Sequence, residues 1–67
     1  MYIRPKFKKG DKVRVRNLTS PYKGSVGVVT KDALREEIGF FSYIVEFEWE
    51  GRARVNSFVE QELERVK

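Results

Sequence analysis

The segment Phe40–Glu48 carries the strongest strand signal in the chain. Tyr43, Val45 and Phe47 recur at every second position, which is the period of a β-strand with one buried face. The residues between them, such as Glu46, fall on the opposite face. This segment therefore predicts a half-buried strand, which needs partner strands to form a sheet.

Four other segments supply those partners. Lys12–Arg16 alternates cations with Val13 and Val15, so the two valines share a buried face. Val26–Thr30 predicts a second strand, and Gly27 within it indicates a bend or the close approach of another backbone. The remaining predicted strands are Arg52–Phe58 and Leu63–Val66, with a single tight turn at Val59–Glu62 between them.

Two stretches predict connections. Asn17–Ser25 is rich in Asn, Thr, Ser, Pro and Gly, which is typical of a loop, and Tyr22 is its best candidate to pack back on the core. Lys31–Gly39 is too short for a helix that stands alone. We therefore expect a loop there, with Leu34 and Ile38 folded inward.

The hairpin register can be predicted from charge. A turn centred on Glu50 would place Arg52 opposite Glu48 and Arg54 opposite Glu46, and opposite charges in line stabilise a strand pair. Because these pairs would give both arginines a structural role, we discount them as ligand contacts.

Chain length limits the fold to one domain, residues 1–67, with an N-terminal arm over residues 1–9 that Phe7 anchors. The chain contains no cysteine, so no disulfide is available, and packing or association must stabilise it. Five short strands with a helical turn before the last predict an all-β fold, a small five-stranded SH3-like barrel. The core residues expected to be buried are Val13, Val28, Val45, Phe47 and Phe58.

The composition argues against catalysis. The chain lacks histidine as well as cysteine, which removes the commonest general base and metal ligand. Most of its carboxylates lie on predicted solvent faces or in turns, and two charge runs, Glu36-Glu37 and Glu60, Glu62 and Glu64, are expected to be solvated. Gly24-x-x-Gly27 lacks the Lys-Ser/Thr that a phosphate-binding loop requires. We therefore predict no enzyme activity, no cofactor and no metal site.

Positive charge is concentrated in the first third of the chain, although the net charge is only +4. Residues 1–24 contain eight Lys or Arg against Asp11 alone, a balance of +7, and residues 25–67 contain six against nine Asp or Glu, a balance of −3. This separation favours an anionic partner for the first third, or a complementary contact between copies in a homo-oligomer. A solvated surface without a ligand is the open alternative.

Six cations and one aromatic residue are the candidate contacts with a partner or a polyanion: Lys8, Lys9, Lys12, Arg14, Arg16, Lys23 and Trp49. Trp49, at the hairpin tip, is either an interface anchor or a lid over the barrel end. Nucleic-acid binding would add stacking aromatics, for which Tyr22 and Phe40 or Phe41 are available. A core this small needs its aromatic residues, which favours Tyr22 inside.

Five motifs follow one another from about Phe7 to Lys67: Gly10-Asp11-Lys12-Val13-Arg14-Val15, Val26-Gly27-Val28-Val29, Ile44-Val45-Glu46-Phe47, Asn56-Ser57-Phe58, and Glu62-Leu63 with Val66. Together they resemble photosystem I reaction-centre subunit IV, a family of SH3-like electron-transport accessory domains. The Gly-Asp-x-Val-x-Val motif also occurs in many KOW domains and is a weak signal. The pattern from Asn56 to Val66 is more specific to the family. That family carries an arginine implicated in docking ferredoxin where this chain has Glu46, so the resemblance implies the scaffold rather than that partner.

A second resemblance is to plasmid-encoded type II dihydrofolate reductases, through the Gly-Asp-x-Val-Arg opening and Leu63-Glu64-Arg65. Their pore segment, Val-Gln-Ile-Tyr, corresponds here to Val55-Asn56-Ser57-Phe58, which lacks the glutamine amide and the tyrosine hydroxyl. This resemblance implies a reductase-like protein without the catalytic motif, and it is the remotest alternative.

The sequence thus predicts a non-catalytic accessory or docking module that binds a protein complex through its basic strand face and loop tips. The alternative is a KOW-type domain that binds RNA or DNA. No apolar run approaches the roughly 20 residues that span a bilayer, so we expect no membrane insertion and a cytoplasmic location.

Overall fold

The computed structural model describes residues 4–37 and 40–66. Its elements are β1 (Lys12–Val15), β2 (Val26–Val29), β3 (Leu34–Glu37), β4 (Phe40–Trp49), β5 (Arg52–Val59), a 3-10 turn (Glu60–Glu62) and β6 (Leu63–Arg65). These strands pair antiparallel into one curled sheet, and the short helical turn precedes the last strand. The predicted all-β, barrel-like fold class is confirmed, but the described residues form six strands rather than the predicted five. In these residues no helix is long and apolar enough to cross a membrane.

The sheet is organised around β4, the longest strand. Its order is β3-β4-β2-β1-β6, and β5 pairs with β4 outside this path. Val45 lies between Val29 of β2 and Asn56 of β5, so these two strands occupy opposite edges of β4. β3 pairs with the first residues of β4, on the same edge as β2.

The core lies on the inner face of this curled sheet. Its buried residues are Phe7, Val13, Val15, Val29, Phe41, Tyr43, Val45, Phe47, Phe58 and Leu63. The predicted anchor Phe7 is thus confirmed, as are four of the five predicted core residues. Val28 is the exception, with 41% of its surface exposed. Gly27 and Val29 face inward against β4, and the two-residue period of the strand turns Val28 outward.

The predicted loop at Lys31–Gly39 is wrong in part, because it contains strand β3. Leu34 pairs with Ser42 of β4 and is 47% exposed rather than folded inward. Ile38, the other residue expected inside, is outside the described residues.

The predicted register of the β4–β5 hairpin is wrong by one residue. Glu50 and Gly51 form the whole turn, with φ of 51° and 76° as in a type I′ turn, and Trp49 faces Arg52. Arg54 consequently lies opposite Phe47, and the predicted pairs of both arginines with Glu46 and Glu48 do not form. Both arginines are exposed.

Tyr43 ties the N-terminal arm to the 3-10 turn. Its hydroxyl accepts hydrogen bonds from the backbone N–H groups of Lys6 (3.1 Å) and Phe7 (3.2 Å) and donates one to Glu60 Oε2 at 2.5 Å. Its ring meets Phe7 edge to face, with centroids 5.3 Å apart. Burial, followed by the hydrogen bond to Glu60, raises the pKa of Tyr43 to about 12.

Glu62 has a similar role. Its carboxylate accepts hydrogen bonds from Asn17 Nδ2 (2.8 Å) and from the Val59 N–H (3.0 Å). The expectation that Glu60 and Glu62 are merely solvated is therefore wrong, since each joins segments distant in sequence.

Gly27 of β2 lies directly against the backbone of β4. A Cβ atom on this residue would collide with the backbone oxygen of Glu46 and lie 2.8 Å from the Cβ of Phe47. The close backbone approach predicted for Gly27 is confirmed.

The contact at Gly27 makes a specific mutational prediction. Gly27→Ala should destabilise the fold by about 3 kcal/mol or more, because backbone must move to make room. Val28→Ala, on the exposed face of the same strand, should cost under about 1 kcal/mol. Urea midpoints of both variants check this, and a Gly27→Ala midpoint as high as that of Val28→Ala would contradict the described pairing of β2 with β4.

The raised pKa of Tyr43 predicts a loss of stability at high pH. The neutral phenol stabilises the fold fully below its ordinary pKa of 10.0, and this contribution is lost as the pH rises through about 12. Two pKa units correspond to about 2–3 kcal/mol. Denaturant unfolding at a series of pH values between 7 and 12 measures this loss.

The matched variants for this experiment are Tyr43→Phe and Tyr22→Phe. Tyr43→Phe should lower stability at neutral pH by about 1–2 kcal/mol, because the Phe7 N–H loses its acceptor, and should then lose less at high pH than the wild type does. Tyr22→Phe should keep the wild-type pH dependence. Parallel curves for Tyr43→Phe and the wild type above pH 10 would show that Tyr43 is not the responsible group.

Candidate functional site

Two cations lie on the outward side of β1. Lys12 and Arg14 are exposed, and they alternate with the buried Val13 and Val15, as the sequence predicts. Their neighbours on β2 are Val28 for Lys12 and Val26 for Arg14. We call the surface formed by Lys12, Arg14, Val26 and Val28 the β1 face.

The β1 face is both cationic and aliphatic. Val26 and Val28 are each 41% exposed, so apolar surface lies directly beside the two charges. On its other edge, β1 pairs with β6, where Glu64 is opposite Arg14. Within residues 4–37 and 40–66, Lys12 and Arg14 form no ion pair, whereas Arg65 pairs with Asp11 at 3.3 Å.

Arg16 is engaged in holding the fold together. Its Nε donates to the Gln61 carbonyl oxygen at 2.9 Å, and its backbone N–H donates to the Glu62 carbonyl at 2.8 Å. The side chain remains exposed, but part of its hydrogen-bonding capacity is used within the chain.

Three predicted site lysines lie at the two ends of β1. Lys8 and Lys9 are exposed in the turn that leads into the strand, where the Lys8 N–H donates to Asp11 Oδ2 at 3.0 Å. Lys23 is exposed in the loop that follows β1, next to Gly24, whose N–H donates to the Val15 carbonyl at 2.8 Å. The structure thus brings the six predicted cations to β1 and its flanking turns.

Trp49 lies on the other side of the sheet from the β1 face. It follows Phe47 at the two-residue spacing of the inner face, and its ring meets Tyr22 edge to face with centroids 5.4 Å apart. Tyr22 also packs on Phe47, at 5.0 Å, which confirms the expectation that it joins the core. Trp49 is half-buried and covers the edge of the core.

The two phenylalanines at the start of β4 differ in exposure. Phe41 is buried, whereas Phe40 is 48% exposed on the outward side. The outward positions of β1 and β2 are occupied by the two cations and two valines already described. Among the described residues, Phe40 is thus an exposed aromatic side chain on the outward side that a stacking interaction could use.

A second cationic surface lies at arginines that the predicted hairpin register assigns to ion pairs. Arg52, Arg54 and Asn56 lie opposite Trp49, Phe47 and Val45 respectively, on the inner side of β5, and all three are exposed. Neither arginine has an ion-pair partner among the described residues. The Glu-Gly dipeptide was the available signal, because glycine at the second position favours a two-residue type I′ turn.

The carboxylates do not form a cluster. Within the described ranges, no three acidic side chains come together as a metal site would need, and no cavity is present. Asn56 and Phe58, in the segment that resembles the reductase pore, are exposed and buried respectively.

Comparison of the chain with protein-family models, with curated proteins and with solved structures gives no match in any of the three.

Proposed function

We propose that the chain is a non-catalytic docking module that binds an acidic surface of a protein complex through the β1 face. The observation that carries this proposal is the placement of two unpaired cations directly beside two half-exposed valines. Lys8, Lys9 and Lys23 extend the positive surface at both ends of β1, so they would strengthen attraction at a distance.

The mixture of charge and aliphatic surface supports a protein partner. Protein interfaces combine desolvated apolar contacts with polar groups, and Val26 and Val28 supply the apolar part here. Lys12 and Arg14 would select carboxylates and would raise the association rate more than the final affinity.

Nucleic acid is the competing partner, because cations on a strand also suit phosphates. Single-stranded nucleic acid is usually held by bases stacked on aromatic side chains. On the β1 face the residues beside the cations are valines, while Tyr22 and Trp49 pack on the inner side. This arrangement favours a protein partner over a stacked base.

The proposal concerns docking in general and not the photosynthetic partner of the resembling family. Glu46 is exposed on the outward side of β4, beside Val28 of β2 and Val55 of β5. This glutamate stands where the resembling family has the arginine implicated in docking ferredoxin, so the resemblance does not carry that partner over to this chain.

Site-specific photo-crosslinking tests the proposed docking surface. A photoreactive residue at position 12 should capture one protein or complex from extract of the source cells, and the same residue at position 31 should not. The captured protein, once purified, should bind the chain with an affinity that Lys12→Glu/Arg14→Glu lowers by about tenfold or more, because two attractive charges become repulsive. Lys31→Glu/Arg35→Glu makes the same change in net charge at exposed positions away from β1 and is the control.

Titration with single-stranded RNA and duplex DNA at near-physiological salt separates the two partner classes. We expect weak binding that disappears as salt rises, because a basic surface attracts any polyanion. Micromolar or tighter binding that Lys12→Glu/Arg14→Glu abolishes, and that the control variant retains, would replace the docking proposal with nucleic-acid binding.

A further inference from the structure

The free edge of β5 is a second place where this chain can bind a partner. Among the described residues β5 pairs only with β4, and the six residues from Arg52 to Ser57 are all exposed. In the described part of the chain, the backbone groups of these six residues form no hydrogen bond to any segment other than β4. We call this strand edge, with the side chains of Arg52 and Arg54, the β5 edge.

Turn geometry identifies which backbone groups point outward. In a two-residue hairpin the residues that flank the turn form a hydrogen-bonded pair, so Arg52 bonds Trp49 and every second residue of β5 also faces β4. The intervening residues Ala53, Val55 and Ser57 therefore direct their N–H and C=O groups away from β4. Val59 continues this alternation, and its N–H indeed bonds the Glu62 side chain rather than β4.

Side chains at the β5 edge alternate in chemistry. Arg52 and Arg54 lie on the inner side, and Ala53 and Val55 lie on the outer side, with Val55 62% exposed. Residues directly opposite one another on adjacent strands share a face and interact. A strand added to this edge would meet cations on its inner face and small aliphatic groups on its outer face.

We propose that the β5 edge binds an extended peptide segment in which acidic residues alternate with aliphatic ones, by addition of that segment to the sheet as a further strand. The outward N–H and C=O groups of Ala53, Val55 and Ser57 supply the backbone hydrogen bonds. Arg52 and Arg54 select the acidic side chains. This site is distinct from the β1 face and does not depend on it.

A second copy of the chain fits this edge less well. β5 contains Arg52 and Arg54 and no acidic residue, so two β5 edges side by side would hold four arginines and no carboxylate to pair with them. Exposed charges on an edge strand ordinarily oppose such self-pairing. The same charges attract an acidic strand.

A capped hexapeptide of alternating glutamate and valine is the probe for this proposal. On titration at near-physiological salt, the largest amide chemical-shift changes should occur at Ala53, Val55 and Ser57, and hydrogen exchange at these amides should slow. In the free protein the same amides should exchange rapidly, because water is their partner.

Two controls separate strand addition from simple charge attraction. The same peptide methylated on every backbone nitrogen keeps its charge but cannot donate to β5 in either strand direction, and its affinity should fall by about tenfold or more. Val55→Pro removes an outward N–H without removing a hydrogen bond to β4 and should weaken binding similarly, whereas Val55→Thr should change it by less than about threefold.

Charge selection is tested by Arg52→Glu/Arg54→Glu. This variant should no longer bind the glutamate–valine peptide and should bind a lysine–valine peptide instead. The variant Lys12→Glu/Arg14→Glu should still bind the glutamate–valine peptide, with chemical-shift changes at the same three amides. Equal binding of the methylated and unmethylated peptides to the wild type, or no binding at millimolar peptide, overturns the proposal. So does single-stranded RNA that shifts the same amides at lower concentration than the peptide does.

Discussion

The Glu50–Gly51 turn decides which face of the sheet each residue of β5 occupies. Both residues have positive φ, and this geometry joins the two strands through a turn of only two residues. A slip of one residue would move every side chain of β5 to the other face. With the turn as it is, Phe58 reaches the core opposite Tyr43, and the chain enters the 3-10 turn where Glu60 can meet the Tyr43 hydroxyl.

The faces of β1 and β4 could be predicted because their alternation is unambiguous. In β1 the valines lie on one face of the strand and the cations on the other. In β4 the aromatic residues of the core all lie on one face. Gly27 could be predicted for a related reason, since a glycine within a strand is expected where another backbone comes close. Phe7 was recognisable as the large apolar residue of an otherwise polar arm.

The faces of β5 could not be predicted in the same way, because the pattern of opposite charges predicts the wrong register. Pairing Arg54 with Glu46 would place Phe58 beside Ser42 on the outward side, by the same shift of one residue. Exposed ion pairs contribute only about 0–1 kcal/mol each, whereas burying a phenylalanine contributes about 1.5–3 kcal/mol. Phe58 therefore outweighs the ion pairs and, with the glycine of the turn, selects the observed register. In the predicted register Arg52 and Arg54 form ion pairs with β4, so the sequence gives no indication of the β5 edge.

The roles of the carboxylates depend on contacts that sequence spacing does not reveal. Glu60 meets Lys6 from 54 positions away, and Glu62 meets Asn17 from 45 positions away. Each carboxylate accepts a hydrogen bond from an N–H group, as Asp11 does from Lys8 and from Arg65. These carboxylates hold three segments in place by hydrogen bonds: the N-terminal arm, the loop after β1 and the 3-10 turn.

Unlike these carboxylates, most of the positively charged side chains that the structure describes are not used in polar contacts within the fold. Most of the described cations make no ion pair or side-chain hydrogen bond, and Lys12, Arg14, Arg52 and Arg54 are among them. Negative charge is thus partly compensated within the fold, while these positive charges remain available to solvent or to a partner. The β1 face and the two arginines of the β5 edge lie on opposite sides of the sheet, so one flat acidic surface can meet only one of them. A partner that used both would need an acidic folded surface for the first and an extended acidic segment for the second.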